Sequence, residues 1–302
     1  MKLKNLLQDR NFILISSLGI GLLWGKGAQW TQPVILPALA IVMTLSTMGI
    51  PGSIFRSFRG LLLPSVIGIV MSYFVLGTTL LALNTILIYD EAFRSGFILI
   101  AAVPPAVAVI PFTYFLKGDE TLSLIGTTGA YLGALIIMPL ITLLVLGLSL
   151  VDPSKLLVIL IELIILPLIV SRILIRIGWD SRLDPIKGPV TNWGFFLLTY
   201  TIVGLNRDLI LNQPLSLSPV VLLALLSTFL LGWGIEKMGT LFHVPQKVLT
   251  SLVLLGTLKN YGLAGGLALA LFSKETSVPA TVSTVFMIVY IIWLEWRVRR
   301  RR

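Results

Sequence analysis

The chain has 302 residues, of which 56% are hydrophobic and 12% charged, with a mean hydropathy of +0.98. That is more apolar surface than a water-soluble core of this length hides, so lipid is the expected solvent and a soluble catalytic or binding domain is excluded. The net charge of +10 invites a nucleic-acid reading, but the basic residues are dealt out between apolar segments as membrane insertion requires; zero cysteines exclude disulfides, thiolate metal sites and cysteine nucleophiles.

Ten segments are long enough to cross a hydrocarbon layer of roughly 30 Å. They are 12–30, 33–51, 61–89, 95–116, 122–151, 156–177, 190–205, 215–235, 248–272 and 278–294. The first, with Lys2, Lys4 and Arg10 ahead of it, resembles a signal peptide but lacks a small-residue cleavage site and is followed by nine more, so it reads as a retained first helix. Alternate connections carry 17 of the 23 basic residues, among them Arg56, Arg59, Lys117, Arg172, Arg176, Arg182, Lys187, Lys237, Lys247 and the arginine-rich tail. That asymmetry puts both termini in the cytoplasm, makes the number of spans even, and places the protein as a multi-pass protein of the cell's inner (plasma) membrane. The arginine tail is read as a contact with anionic lipid.

In segment 4, Pro104 and Pro105 remove two amide donors and break the helix. Freed carbonyls at that depth are tolerable only when buried in protein or facing a polar cavity. Segment 4 ends in Lys117-Gly118-Asp119-Glu120-Thr121, and segment 9 ends in Ser273-Lys274-Glu275-Thr276. Counting back equally from Glu120 and Glu275 reaches Pro105 and Asn260, so the two interruptions occupy equivalent places. Five spans plus five are implied, with halves 1–151 and 152–302, and because five is odd the second half enters the membrane inverted. The polar connection at 171–188 is the largest.

Segment 6 carries Glu162, a charge about 9 Å into the helix, which is a candidate for cavity lining. Segment 7 carries Thr191, Asn192, Thr199, Tyr200, Thr201 and Asn206, with Asn192 and Tyr200 as cavity candidates and Thr199 and Thr201 read as interhelical contacts. Glu236-Lys237 reads as an interfacial pair, and His243, beside Pro245, as a solvated loop residue. Lys259 is the one charged side chain in 248–272, and a lone ammonium there costs about 2.5–3.5 kcal/mol, so it needs a partner or a task. Its flanks, Gly256-Thr257-Leu258 before and Asn260-Tyr261-Gly262 after, are polar and glycine-rich, as at the substrate and ion sites of transporters.

The block from Val103-Pro104-Pro105-Ala106 through Val109-Ile110-Pro111-Phe112-Thr113-Tyr114 to Lys117-Gly118-Asp119, followed by Leu122-Ser123-Leu124, resembles the fourth-helix signature of the bile acid:sodium symporter family. Gly256 to Leu263 resembles the ninth-helix counterpart. The resemblance implies an all-α integral membrane fold of ten transmembrane helices in two inverted five-helix repeats. It implies a core domain (61–151 plus 215–297) in which broken helices 4 and 9 cross, and a panel domain (12–51 plus 156–205). Substrate, a small organic anion, is then expected between the two, moved by alternating access.

Departures from the family pattern decide the expected mechanism. Where sodium-binding members have a serine-asparagine pair, this chain has Val109-Ile110; where they have a glutamate it has Leu255, and four residues on, Lys259 replaces a glutamine. The glutamine of segment 3 falls on Ser72, and only Ser123 and Thr127 survive from the usual ligand set. Sodium needs several hard oxygen ligands, which such a lining does not offer. Lys259 is therefore expected to stand in for the coupling ion, held by carbonyls near Pro104–Val107 and by the hydroxyls of Ser123, Thr127 and Ser72. Pro104, Pro105, Val109, Ile110, Thr257, Asn260, Tyr261 and Gly262 are the expected crossover and substrate-binding residues. Burial penalises a charged amine, which makes protonation of Lys259 a candidate coupling event. No cofactor, metal or nucleic-acid partner is expected; the partners are the organic anion and membrane lipid. The rival readings are a sodium-coupled symporter, an auxin-efflux-type carrier and an intramembrane enzyme. The last lacks paired carboxylates or a Ser/His couple within the membrane.

Overall fold

The computed structural model of the protein describes residues 10–49, 58–147 and 152–300. Lys2, Lys4, Arg56, Arg301, Arg302 and the ends of segments 2 and 5 lie outside these residues. The described elements are helical, and their one β-type pairing is an isolated antiparallel bridge between Pro105 and Lys259.

In chain order the helices are α1 (Arg10–Leu23), α2 (Ile35–Thr47), α3 (58–87), α4 (Glu91–Ala102), α5 (Val109–Phe115), α6 (Glu120–Leu146), α7 (153–176), α8 (Asp180–Leu205), α9 (214–241), α10 (Gln246–Leu255), α11 (Tyr261–Leu271) and α12 (Val278–Arg300). Among the described residues six stretches are long and apolar enough to cross a membrane: Gly25–Thr47, Leu61–Leu87, Glu120–Leu146, Ser154–Arg176, Pro214–Leu241 and Glu275–Val298. The other four expected segments take different forms. Segment 1 leaves its helix at Leu23 and turns through short pieces before α2. Segments 4 and 9 are each two helices, α4 with α5 and α10 with α11. Segment 7 belongs to a longer and more polar helix that starts at Asp180.

That early start corrects the expected connection 171–188. Helix α7 runs to Arg176, and only the turn at Ile177, Gly178 and Trp179 separates it from α8, with Gly178 at φ 74, a conformation that favours glycine. Pro185 and Pro189 lie inside α8 without ending it.

The starts of α4, α6 and α7 are set by aspartate side chains. Asp90 accepts from the Phe93 amide, and Asp119 from the Leu122 amide, each over 2.9 Å. Asp152 takes the Ser154 hydroxyl at 2.6 Å and the amides of Ser154 and Lys155, which together hold its carboxyl below the usual range. The Asp119 turn is docked onto α10, because Ser251 Oγ accepts from the Asp119 amide and donates to its carbonyl, both over 2.9 Å.

Helix α3 widens to a π-helix over Val70–Gly77, and α9 does so over Leu226–Leu230. The spacing between Asp90 and Pro245, which precede α4 and α10, is the same as between Ser72 and Ser227 in those two π segments, and as between Glu120 and Glu275. Such segments are common at functional sites.

Packing sorts the helices into two groups. One contains α1, α2, the second half of α7, and α8; the other contains α3, α4, α5, α6 and α9 to α12. Within the second group α3 and α6 approach so closely that a Cβ on Gly68 would fall 2.1 Å from the Gly126 carbonyl oxygen. Across the groups the glycine face of α11 meets α2 and α8: Gly262 abuts Phe195, Gly265 abuts Ile202, and Gly266 abuts Leu39. Asn206, just past α8, donates to the Lys274 carbonyl over 2.9 Å at the same end.

Candidate functional site

The site begins with a missing amide. In a continuous helix the Ala101 carbonyl would accept from residue 105, but Pro105 has no N–H to give. Helix α4 stops at Ala102, with Val103 extended (ψ 155), and the chain does not return to helix until Val109. From the other side, Gly256 to Asn260 separate α10 from α11. The two irregular strands pair with each other: the Ala106 amide donates to the Leu258 carbonyl over 3.3 Å, and the Asn260 amide to the Pro104 carbonyl over 2.9 Å.

Lys259 completes this exchange. Its Nζ donates to the Ala101 carbonyl over 2.9 Å and to the Val103 carbonyl over 2.8 Å. The ammonium also lies 4.3 Å from the centroid of the Tyr73 ring, a cation–π contact made from the π segment of α3. The side chain is completely buried. Lys259 thus supplies the donor that Pro105 withholds from the Ala101 carbonyl, and a second donor to the Val103 carbonyl, which the end of α4 leaves without a helical partner.

These partners differ from the expected ones. The carbonyls are those of Ala101 and Val103, before the prolines rather than after them. None of the three expected hydroxyls bonds to Lys259. Ser123 Oγ accepts from Thr113 over 2.7 Å, and the buried hydroxyls of Ser72 and Thr127 have no hydrogen-bond partner. Ser72 sits next to Tyr73 on α3, so the helix turns the aromatic ring, not the hydroxyl, toward the ammonium.

Asn260 has two tasks. Its Oδ1 accepts from the Leu263 amide over 3.0 Å and caps α11, while its Nδ2 donates to the Tyr131 hydroxyl over 2.8 Å and lies 3.4 Å from Met43 Sδ. Thr257 is buried and turned back onto the Val253 carbonyl. Tyr131, Tyr73 and Met43 were not singled out from sequence, because each reaches the crossover from a distant helix and sits in an ordinary apolar run.

Beside the crossover lies a cavity of about 440 Å³ between the two helix groups. The crossover contributes Ala106, Val107, Ala108, Lys259, Asn260, Tyr261 and Gly262, and α5 contributes Ile110, Pro111, Phe112 and Phe115. The facing wall is Val42, Met43, Leu45 and Ser46 of α2 with Lys187, Gly188, Thr191, Asn192, Phe195, Leu198 and Thr199 of α8. Ile110, Asn192, Asn260, Tyr261 and Gly262 therefore meet around one space. Pro104, Pro105, Val109 and Thr257 stand behind the wall and shape the backbone.

Two expected lining residues lie elsewhere. Glu162 is exposed on the outer surface of α7, in the π segment Ile161–Ile165, and neither lines the cavity nor pairs with Lys259. The periodicity of a uniformly apolar helix does not say which way one charge faces. Tyr200 is buried at the other end of α8, donating to the Trp24 carbonyl over 3.0 Å and stacking on Phe196. Thr199 lines the cavity, whereas Thr201 bonds Thr31 over 2.6 Å as an interhelical contact. Glu236 pairs with Arg297 through two 2.8 Å bonds rather than with Lys237, and Arg297 stacks 4.6 Å over Trp293.

Comparison with known proteins decides the family. The family described as "Sodium Bile acid symporter family" matches residues 30–213, more than half the chain. The chain belongs to the sodium bile acid symporter family. Two similar proteins carry transporter names. The "Uncharacterized sodium-dependent transporter YocS" of Bacillus subtilis (strain 168) is 24% identical over 261 residues, covering 85% of this chain and 80% of that protein. The "Probable sodium/metabolite cotransporter BASS3, chloroplastic" of Oryza sativa subsp. japonica is 26% identical over 207 residues, covering 66% of this chain and 48% of that protein. This symporter-family chain is accordingly a multi-pass membrane transporter and not an enzyme.

Proposed function

We propose that the protein carries a small organic anion across the membrane by alternating access, without sodium, and that Lys259 stands where a coupling ion would sit. The observation that carries this reading is the Lys259 ammonium itself, bonded to the Ala101 and Val103 carbonyls at the crossover. A cation already occupies the electronegative gap opened by the prolines. A sodium ion beside it would meet like charge and side chains without oxygen at Val109, Ile110 and Leu255. Lys259 then serves either as a proton-coupled switch or, held permanently charged, as the fixed cation of a uniporter.

The architecture in this reading is ten spans in two inverted repeats, 1–151 and 152–302, with α4–α5 and α10–α11 as the crossed broken helices. The equal spacings from Ser72 to Ser227, Asp90 to Pro245 and Glu120 to Glu275 support it. The group of α1, α2, α7 and α8 is the panel and the remainder the core. With Lys117, Lys187 and the basic connections in the cytoplasm, the cavity, lined by Phe115, Lys187 and Ser46, opens inward, and the contacts of Gly265 and Gly266 close the outer side.

A sodium-coupled reading draws support from the names of the two relatives and from the unpartnered hydroxyls of Ser72 and Thr127. Uptake of organic acids into proteoliposomes, with sodium or potassium outside and across pH, separates the readings. Sodium-independent uptake that is lost in Lys259→Ala is expected; uptake that rises steeply with external sodium at fixed pH sinks the proposal.

A further inference from the structure

Lys259 has little left to offer a substrate anion. Two of its three donors go to carbonyls, and the Tyr73 ring lies against the ammonium. Among the cavity-lining residues the other basic side chain is Lys187, on α8. Its Nζ lies 3.0 Å from Asp184 Oδ1 three residues earlier, with the lysine side chain 21% exposed and the aspartate 76% exposed. An ion pair of that spacing, with one partner so open to solvent, contributes little to stability, so another carboxylate displaces Asp184 at little cost. Thr191, one turn further along α8, lines the same wall, and beyond it the lining is mainly apolar, with Phe195, Ile110 and Met43 broken by Asn192 and Asn260.

We propose that Lys187 is the residue that recognises the transported anion: the substrate carboxylate replaces Asp184 on its ammonium at the cavity mouth, and the apolar body points inward toward Phe195, Ile110 and Met43. Asp184 returns when substrate leaves, so the ammonium is paired in both states. The cavity thereby selects monocarboxylates with hydrocarbon bulk over small polar acids, whose bodies would gain nothing from the apolar interior. This inference rests on the organic-anion reading above, and it separates two jobs: Lys187 reads the substrate's charge while Lys259 holds the crossover.

The test is equilibrium binding to the full chain in nanodiscs of 4-methyl-2-oxopentanoate, 4-phenylbutanoate and cholate, each alongside its methyl ester. Wild type is expected to bind at least one acid more tightly than its ester. Lys187→Gln should lose about tenfold or more in affinity for that acid, in line with the loss of one charge-assisted hydrogen bond, without weakening ester binding. Lys187→Arg should retain the acid preference, and Asp184→Asn should bind the acid about twofold tighter. A Lys187→Gln protein that prefers acid over ester as strongly as wild type overturns the role of Lys187 and leaves the transport reading intact. A wild type that binds none of the three acids overturns both.

Discussion

The Asn260 carboxamide donates to the Tyr131 hydroxyl across 2.8 Å, which ties the crossover to α6 at the point where α11 begins. Tyr131→Phe removes the acceptor and should destabilise the protein by about 1 kcal/mol. Asn260→Ala also removes the cap of α11 and should cost about 1 kcal/mol more. A double-mutant cycle by thermal unfolding in nanodiscs should give a coupling near the single Tyr131→Phe value; a coupling near zero would mean that the bond contributes nothing.

Lys259→Met keeps the volume and removes the donors, leaving the Ala101 and Val103 carbonyls buried and unpaired. Each orphaned group costs about 1–3 kcal/mol, so a clear drop in unfolding temperature and a loss of uptake are expected together. Lys259→Gln restores the amide of the sodium-binding pattern but not its other ligands. Comparing its unfolding in sodium and potassium chloride should show no selective stabilisation by sodium.

Gly68→Ala would put a methyl group 2.1 Å from the Gly126 carbonyl oxygen, a backbone atom that cannot turn aside. Helices α3 and α6 must separate, and a loss of about 1–3 kcal/mol is expected. Gly19→Ala is the control, because nothing lies within 4 Å of its added carbon; there a gain of about 0.5–1 kcal/mol from helix propensity is expected. Yield and thermal stability of the two variants measure the contrast.

Arg297→Gln breaks the paired bonds to Glu236 and the stacking on Trp293. With both side chains about three-quarters covered, the variant should lose about 1–3 kcal/mol, and Glu236→Gln a similar amount. The double variant should lose less than the sum of the two, which thermal unfolding resolves.

Much of the site was legible along the chain, in a particular way. Proline pairs and lone charges are local facts: Pro104-Pro105 must free carbonyls, and Lys259 must find acceptors, whatever surrounds them. Which carbonyls those are was not legible. The choice of Ala101 and Val103 depends on how the α10–α11 peptide crosses the α4–α5 peptide, a contact between residues far apart in sequence. Glu162 and Tyr200 went astray for a related reason. In a helix that is apolar all round, or that mixes polar and apolar residues without a clear stripe, periodicity does not assign a face, and only neighbours decide whether a side chain meets the cavity, lipid or another helix.

The sequence by itself determined that this chain lives in a bilayer, where it is interrupted, and that a buried lysine stands at one interruption, because hydrophobicity, proline's missing amide and the cost of burying charge act residue by residue. Only the tertiary structure decided the rest. It put Tyr73 rather than Ser72 against the ammonium, committed Lys259 to the backbone, joined Asn260 to Tyr131, and brought Lys187 to the cavity mouth. Those outcomes follow from the angles at which separate helices pack, and packing is a property of pairs of surfaces that no single stretch of chain contains.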